Sequence, residues 1–249
     1  MLAVLAMVLA LGACGDVRDT ARNRFDPITP GTLVVGAEVP TAGFWEGTPD
    51  DVTGGFEFQL AQALADELGL ELEVAEVPFL DVIAGRLGPA DLVLEEVSVT
   101  SSRADAVEFS TPYLTTSPTV VARRDGGDAV EVRDLASAGD LRWAVRAGTT
   151  EAQLLDEVVR PDEAPVEVAS VDAAVDAVEQ GAVDAALVDL SDALLAAGAN
   201  DELVAVARFD RVEDVAAVLP SGADENVTAV DEALRRLQTD GTIARLVET

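Results

Sequence analysis

A run of hydroxyl side chains followed by an arginine is the part of this sequence best suited to binding an anion. Ser98, Thr100 and Arg103 follow a predicted strand and stand where a helix begins. A helix start offers unpaired N–H groups and partial positive charge, and a guanidinium binds a carboxylate through two parallel hydrogen bonds. The spacing alone leaves a second interpretation open, in which the hydroxyls cap the helix and Arg103 is a solvated surface residue.

The composition excludes several kinds of site. The chain contains no histidine, which removes histidine-based acid–base catalysis, Ser-His-Asp triads and most transition-metal sites. A single cysteine permits neither an internal disulfide nor a zinc site. With 47 acidic against 16 basic residues the net charge is -31, which repels nucleic acid phosphates. We therefore expect no cofactor, no metal and no nucleic acid partner.

The first residues have the composition of an export signal. Residues 2–13 are apolar and uncharged, too short to span a bilayer but suited to the apolar region of a signal peptide. They end in Leu-Gly-Ala-Cys14, which resembles the lipobox of bacterial lipoproteins. We expect a signal peptide over 1–13 and a linker over 14–30. The exported chain would carry a lipid on Cys14 that anchors it to the outer face of the cell membrane, or it would be periplasmic. The alternative is a core helix with a buried thiol.

Strands and helices alternate along the rest of the chain. Apolar runs predict strands at 33–35, 70–74, 91–94, 142–145, 166–169 and 185–188. Helical spacing of apolar residues predicts helices over 56–68, 151–159, 171–178 and 227–237. This alternation predicts an α/β fold with mostly parallel sheets, in which ligands bind beyond the carboxyl ends of the strands.

Two polar stretches divide the chain into lobes. Residues 123–128 and 210–214 are charged and interrupt the apolar pattern. They predict that the chain passes twice between the lobes. Lobe 1 would comprise residues 31–122, lobe 2 residues 123–209, and residues 210–249 would return to lobe 1. At 249 residues the chain is long enough to form two lobes, and we expect a monomer.

Several short motifs occur together with the anion-binding run. They are Gly55-Phe56-Glu57, Phe109-Ser110-Thr111-Pro112-Tyr113, Gly148-Thr149-Thr150-Glu151, and Gly181-Ala182-Val183-Asp184-Ala185 leading to Asp189. Their order and intervals resemble those of family 3 bacterial extracellular solute-binding proteins over residues 31–249. The resemblance implies a type II periplasmic-binding-protein fold whose two lobes are joined by a two-strand hinge. It also implies a non-enzymatic receptor that closes on an amino-acid-like ligand and delivers it to the permease of an ABC importer.

The resemblance also implies roles for particular residues. The ligand carboxylate would be held from both lobes by Ser98, Thr100, Arg103, Thr149 and Thr150. Asp189 would take the α-ammonium group, so that a zwitterion meets a fixed partner at each end. Helix capping is the alternative for the threonines and for Asp189, and it is compatible with ligand binding at the same helix start.

The side-chain end of the ligand is less constrained. Glu38 matches an acidic position of the family that can meet a ligand side chain, and Glu96 stands where a small residue is common. Two carboxylates there would favour a basic ligand. Phe44, Trp45 and Phe79 lie in segments that supply aromatic walls. The alternatives are solvated glutamates and aromatic residues of the core.

Two other functions fit the same scaffold. Cyclohexadienyl or arogenate dehydratases resemble these receptors, and Glu38 or Glu96 could serve as an acid or base. A ligand-responsive adaptor for a membrane sensor would bind in the same way and differ only in its partner.

Overall fold

The computed structural model describes residues 24–125, 128–129, 132 and 134–248. The predicted signal peptide, Cys14 and most of the predicted linker lie outside these residues. Nine helices occur in the described part of the chain: α1 (Phe56–Leu68), α2 (Phe79–Val82), α3 (Ser101–Ala104), α4 (Leu135–Gly139), α5 (Thr150–Leu154), α6 (Val171–Glu179), α7 (Leu190–Ala199), α8 (Asp224–Thr239) and α9 (Thr242–Val247). A π-helical turn, Leu155–Val159, continues α5.

The strands are mostly short. In chain order they are β1 (Thr32–Ala37), β2 (Glu46–Thr48), β3 (Asp51–Gly54), β4 (Glu71–Glu76), β5 (Leu92–Val93), β6 (Val107–Phe109), β7 (Leu114–Thr116), β8 (Pro118–Asp125), β9 (Asp128–Ala129), β10 (Trp143–Arg146), β11 (Val166–Val168), β12 (Ala185–Asp189), β13 (Leu203–Arg208), β14 (Glu213–Val215) and β15 (Val218–Pro220). The predicted alternation of strands and helices is confirmed.

The first sheet forms the centre of lobe 1 and has the order β4-β1-β5-β15-β6. β1 pairs in parallel with β4 and β5, whereas β15 pairs antiparallel with β5 and β6. Leu92 and Leu94 pack into a core on one face of the sheet, and Val93 between them packs into a second core on the other face. This alternation is what a strand with both faces covered requires.

The second sheet forms the centre of lobe 2 and has the order β11-β10-β12-β8-β13. β10 pairs in parallel with β11 and β12, whereas β8 runs antiparallel to β12 and β13. The α/β class is confirmed, but both sheets combine parallel and antiparallel pairs rather than being mostly parallel, and β9 adds a further antiparallel pair with β8. The reason is that β15 and β8 are the strands by which the chain enters each sheet from the opposite lobe.

The two sheets are joined by a pair of antiparallel strands. β7 and β14 pair through Leu114 with Val215 and Thr116 with Glu213. β8 already belongs to the second sheet from Pro118 onward, so the first crossing precedes the predicted boundary at 122–123. A hinge of two short strands allows the lobes to move relative to each other with few backbone changes.

The carboxyl ends of four strands open toward the same cleft. Glu38 follows β1, and Glu95 and Glu96 follow β5, all from lobe 1. Arg146 ends β10 and Asp189 ends β12, both from lobe 2. Parallel strands of both sheets therefore deliver charged residues to one interlobe space, as expected for ligand sites of such sheets.

No helix among residues 24–125 and 134–248 has both the length and the apolar character needed to cross a membrane.

Gly55 provides a test of how α1 is positioned against the loop before it. Its backbone has φ 103° and ψ 158°, and a Cβ there would lie 2.2 Å from the carbonyl oxygen of Phe44. Gly55→Ala should lower the free energy of unfolding by about 3 kcal/mol or more, because backbone strain and a backbone clash add. Denaturant unfolding followed by circular dichroism measures this loss.

Gly88→Ala is the matched control. Gly88 also has a positive φ of 60°, but a Cβ would meet no atom within 4 Å. This variant should lose only the cost of the left-handed backbone, about 1 kcal/mol. Equal losses in the two variants would contradict the close approach of Gly55 to Phe44.

Candidate functional site

A cavity of about 30 Å³ lies in the cleft between the lobes. Ten of its fourteen lining residues are polar or charged, and the lining includes seven of the eleven predicted ligand-binding residues: Phe79, Glu96, Ser98, Arg103, Thr149, Thr150 and Asp189. The other lining residues are Glu95, Arg146, Glu151, Val171, Leu187, Val188 and Asp192. A space of this size holds about two water molecules, so the cavity in this conformation is too small for an amino acid.

Arg103 is buried at the lobe interface. Thr100 caps α3 by accepting a hydrogen bond from the backbone N–H of Arg103 at 3.2 Å. The guanidinium donates to the carbonyl oxygens of Ser98 at 2.8 Å and Gly148 at 3.1 Å, and the second of these crosses to lobe 2. Burial lowers the pKa of Arg103, and nearby Glu151, Glu213 and Asp189 oppose this effect.

The start of α5 faces Arg103 from lobe 2. Thr149 is the N-cap: its hydroxyl accepts from the N–H of Ala152 at 3.2 Å and donates to the carbonyl of Arg146 at 2.8 Å. The buried hydroxyl of Thr150 donates to Glu213 at 2.7 Å. The capping interpretation therefore holds for Thr149 but not for Thr150, and both threonines also line the cavity.

Three carboxylates of the cavity lining meet one another. Oxygens of Glu96 from lobe 1 and of Asp189 and Asp192 from lobe 2 lie within 4.8 Å of one another. Burial raises the pKa of Asp192 to about 7, with Glu151 the next cause. It also raises the pKa values of Glu96 and Asp189 well above their usual range, and the neighbouring carboxylates add to the effect. Such a cluster binds either protons or a cation.

The position of Glu96 is fixed by a buried acid beneath it. The fully buried Glu57 accepts hydrogen bonds from the backbone N–H of Glu96 at 2.8 Å, from the indole N–H of Trp45 at 2.8 Å, and from the hydroxyl of Tyr113. Glu96 has a φ of 48°, a left-handed conformation that is rare for glutamate. The Glu57 contact holds this conformation, and the Glu96 side chain reaches Ser191 of lobe 2 at 3.3 Å.

Four predicted site residues do not line this cavity. Trp45 is wholly buried in the core of lobe 1, where it supports Glu57. Phe44 packs edge-on against Phe56 at 6.0 Å and lines a separate groove. Thr100 caps α3 instead of reaching the cavity. Glu38 lines an adjoining small cavity, where it forms an ion pair with Arg146 at 2.5 Å.

Several residues of the cleft were missed by the sequence analysis. Arg146 and Glu95 pair across the lobes at 2.8 Å. Glu151 and Glu213 are buried beside Thr150, and burial raises the pKa of Glu151. A signal was present for Glu151, since it belongs to a quoted motif. None was present for Glu213, which reaches the cleft from a strand far along the chain.

Among the residues that the structure describes, Glu96, Asp189 and Asp192 are the ones whose oxygens could share a metal ion, because hard cations such as Ca²⁺ and Mg²⁺ take carboxylate ligands. The same three oxygens suit an ammonium group equally well. The guanidinium of Arg103 and this acidic cluster both line the cavity, and together they offer a partner to each charge of a small zwitterion.

Two known bacterial proteins resemble this chain in sequence. The L-cystine-binding protein TcyJ of Escherichia coli K12 is 27% identical over 223 residues, which cover 88% of this chain and 82% of TcyJ. The membrane-bound lytic murein transglycosylase F of Ectopseudomonas mendocina is 31% identical over 202 residues, covering 78% of this chain but only 41% of that protein. This chain thus corresponds to less than half of the transglycosylase.

Solved structures confirm the fold. An ancestral amino acid-binding protein, a precursor of cyclohexadienyl dehydratase, superposes with a TM-score of 0.76 at 28% identity and covers 93% of this chain and 97% of its own. The predicted type II fold of periplasmic amino-acid-binding proteins is therefore confirmed. The family model for bacterial extracellular solute-binding proteins, family 3, matches residues 33–249. The chain belongs to family 3 of the bacterial extracellular solute-binding proteins.

Proposed function

We propose that this protein is the substrate-binding component of an ABC importer and that it closes its lobes around a free α-amino acid. The observation that carries the proposal is the presence of Arg103 and the Glu96–Asp189–Asp192 cluster in the lining of one interlobe cavity. These groups are complementary to the carboxylate and the ammonium of a zwitterion. A ligand lacking either group would leave a buried charge without a partner.

The protein groups that would bind the ligand carboxylate have hydrogen-bond donors still available. Arg103 uses two of its five N–H donors on carbonyl oxygens, which orient the guanidinium between the lobes. Ser98 contributes a buried hydroxyl, and Thr149 and Thr150 contribute the start of α5. These groups suit a carboxylate through hydrogen bonds to charge, which are the stronger kind.

The three carboxylates that would bind the ammonium group repel one another. One oxygen of Asp189, Oδ1, is buried without a hydrogen-bond partner among the described residues. Asp192 is 7% exposed, and the like charges of Glu96 and Asp189 lie beside it. An α-ammonium group has three donors in tetrahedral geometry and would relieve both the repulsion and the missing hydrogen bonds.

The relatives support the ligand class and the setting. TcyJ is named for binding L-cystine, and the ancestral structure is named as an amino acid-binding protein. The family is described as extracellular, which supports the proposal of an exported chain. We extend the proposal to delivery of the ligand to an ABC permease by a monomer whose lipid is attached to Cys14.

An enzyme on the same scaffold is the alternative. One structural relative is a precursor of cyclohexadienyl dehydratase, and burial raises the pKa of Glu95, in the cavity wall, to about 9, despite the nearby Arg146. A protonated carboxyl can act as a general acid. Incubation with arogenate or prephenate should leave both compounds unchanged. Formation of phenylalanine or phenylpyruvate would contradict a pure binding role.

Ligand-induced stabilisation tests the proposed function. The folded domain should show a raised melting temperature with at least one free L-amino acid, because closure adds contacts only in the bound form. At a ligand concentration 100 times Kd the gain is about 2.7 kcal/mol. The N-acetyl and methyl ester derivatives of the same amino acid should have no effect, since each lacks one charge. Stabilisation by the derivatives would contradict zwitterion recognition.

Two variants test the residues proposed to bind the carboxylate and the ammonium group of the ligand. Arg103→Lys and Asp189→Asn should each reduce affinity by roughly 100-fold or more in isothermal titration, because a buried ligand charge loses its partner. Arg208→Ala is the matched control, since Arg208 is exposed on β13, and its affinity should equal that of the original protein. Unchanged affinity in Arg103→Lys or Asp189→Asn would contradict the roles given to these residues.

The stability of the ligand-free protein should fall as the pH rises. The folded-state pKa of Asp192 is about 7 against an ordinary value of 3.8, so the folded state holds a proton that the unfolded state releases. The stabilisation is complete below about pH 4 and is lost as the pH passes through 7. Between pH 5.5 and 8 the titration of Asp192 alone lowers the free energy of unfolding by about 2 kcal/mol, which corresponds to a fall of roughly 4–8 °C in Tm.

Asp192→Asn should flatten this pH profile, because the amide does not titrate. Ligand should also restore Tm most at pH 8, where the ammonium replaces the lost protons. Differential scanning calorimetry at the two pH values measures both effects. A profile as steep in Asp192→Asn as in the original protein would contradict the assignment.

A further inference from the structure

Arg146 belongs to lobe 2 but its guanidinium is bound by lobe 1. It ends β10, and its Nη2 lies 2.5 Å from Glu38 and 2.8 Å from Glu95. Its guanidinium carbon lies 4.1 Å from the centroid of the Phe79 ring. The Arg146 side chain is only 10% exposed, so the cleft encloses it on closure.

The three lobe 1 residues form a site suited to guanidinium. An aromatic face attracts a planar, weakly hydrated cation, and carboxylates accept its N–H groups. Phe79 is buried at the start of α2, Glu95 follows β5, and Glu38 follows β1. The three groups come from separate parts of lobe 1, and Arg146 of lobe 2 is the group that they surround.

Arg146 satisfies this site incompletely. One nitrogen, Nη2, makes both ion pairs, while Nε of Arg146 and Oε2 of Glu95 are buried without a hydrogen-bond partner among the described residues. A guanidinium that is free to turn could bind Glu95 through two parallel hydrogen bonds. Arg146, which is attached to β10, binds Glu95 through a single nitrogen instead.

The charge of the site accommodates a single cation. Nη2 of Arg146 lies 2.5 Å from Glu38 and 2.8 Å from Glu95, so both carboxyl groups of the site are already paired with Arg146. A second cation entering this space would meet the charge of Arg146 without a free carboxylate. Arg146 and a cationic ligand side chain therefore compete for one position.

We propose that Arg146 is a tethered occupant of a guanidinium site formed by Glu38, Phe79 and Glu95, and that it discriminates against ligands with a cationic side chain. A tethered group acts at a high effective concentration, which a free ligand must exceed. This occupancy also explains why the cavity is small, because Arg146 fills the volume that a ligand side chain would take. For amino acids this inference rests on the proposed function, whereas the occupancy of the site does not.

L-arginine and L-citrulline are the first probes, since they are close in shape and differ in charge. Isothermal titration of the original protein and of Arg146→Met gives the ratio of the two affinities. Methionine keeps an unbranched chain beside Phe79 but carries no charge. The ratio should shift toward L-arginine by roughly 10-fold or more in Arg146→Met, because the vacated carboxylate and ring then bind the ligand guanidinium.

Arg142→Met is the matched control. Arg142 immediately precedes β10, is exposed, and pairs with Asp184 on the surface of lobe 2, so its loss should leave the ratio unchanged. Adding Glu38→Gln to Arg146→Met should abolish the gain for L-arginine. A ratio that does not move in Arg146→Met, or a gain that survives Glu38→Gln, would overturn the proposal.

A second pair of probes does not depend on amino-acid binding. Methylguanidinium at millimolar concentration should raise the Tm of Arg146→Met relative to methylurea, its neutral counterpart, and should have no such effect on the original protein or on Arg142→Met. Equal responses of all three proteins would overturn the tethered-occupant model. If methylguanidinium acts as expected while no free amino acid binds any variant, the guanidinium site stands and the proposed function fails.

Discussion

The cleft contains more buried negative charge than its two arginines can balance, and this excess governs how the lobes fit together. Glu96, Asp189 and Asp192 form one cluster, and Glu151 and Glu213 lie beside Thr150 near Arg103. Carboxylates withdrawn from water must bind protons, cations or hydrogen-bond donors. The raised pKa values of Asp192 and Glu151 are the outcome when no ligand supplies the positive charge.

Each arginine balances this charge across the lobe interface. Arg103 extends from lobe 1 to the carbonyl of Gly148, and Arg146 extends from lobe 2 to Glu38 and Glu95. The two guanidinium groups lie near the same Phe79 ring, at 5.5 Å and 4.1 Å. The closed form is thus held by the chemical groups that a ligand would use, which couples ligand identity to closure.

Beneath the cleft, a buried hydrogen-bond network fixes the geometry. Glu57 is wholly enclosed, and its donors Trp45 and Tyr113 come from different parts of lobe 1. This carboxyl holds the backbone of Glu96 in a left-handed conformation and so directs that side chain toward lobe 2. A residue that only supports the site can therefore decide which charge the ligand meets.

Local sequence determined the elements and much of the site. The α1 helix ends at Gly69, α6 begins at the Ser170 cap, and the apolar runs became strands, because propensity, capping and periodicity act over a few residues. The motifs also identified Arg103, Thr149, Thr150 and Asp189 as residues of one cavity. Only the tertiary structure paired Arg146 with Glu38, because contacts between lobes depend on closure, which no local pattern encodes. It also decided the burial of Trp45 in the core of lobe 1, because the Leu94 carbonyl that its indole N–H contacts lies far along the chain.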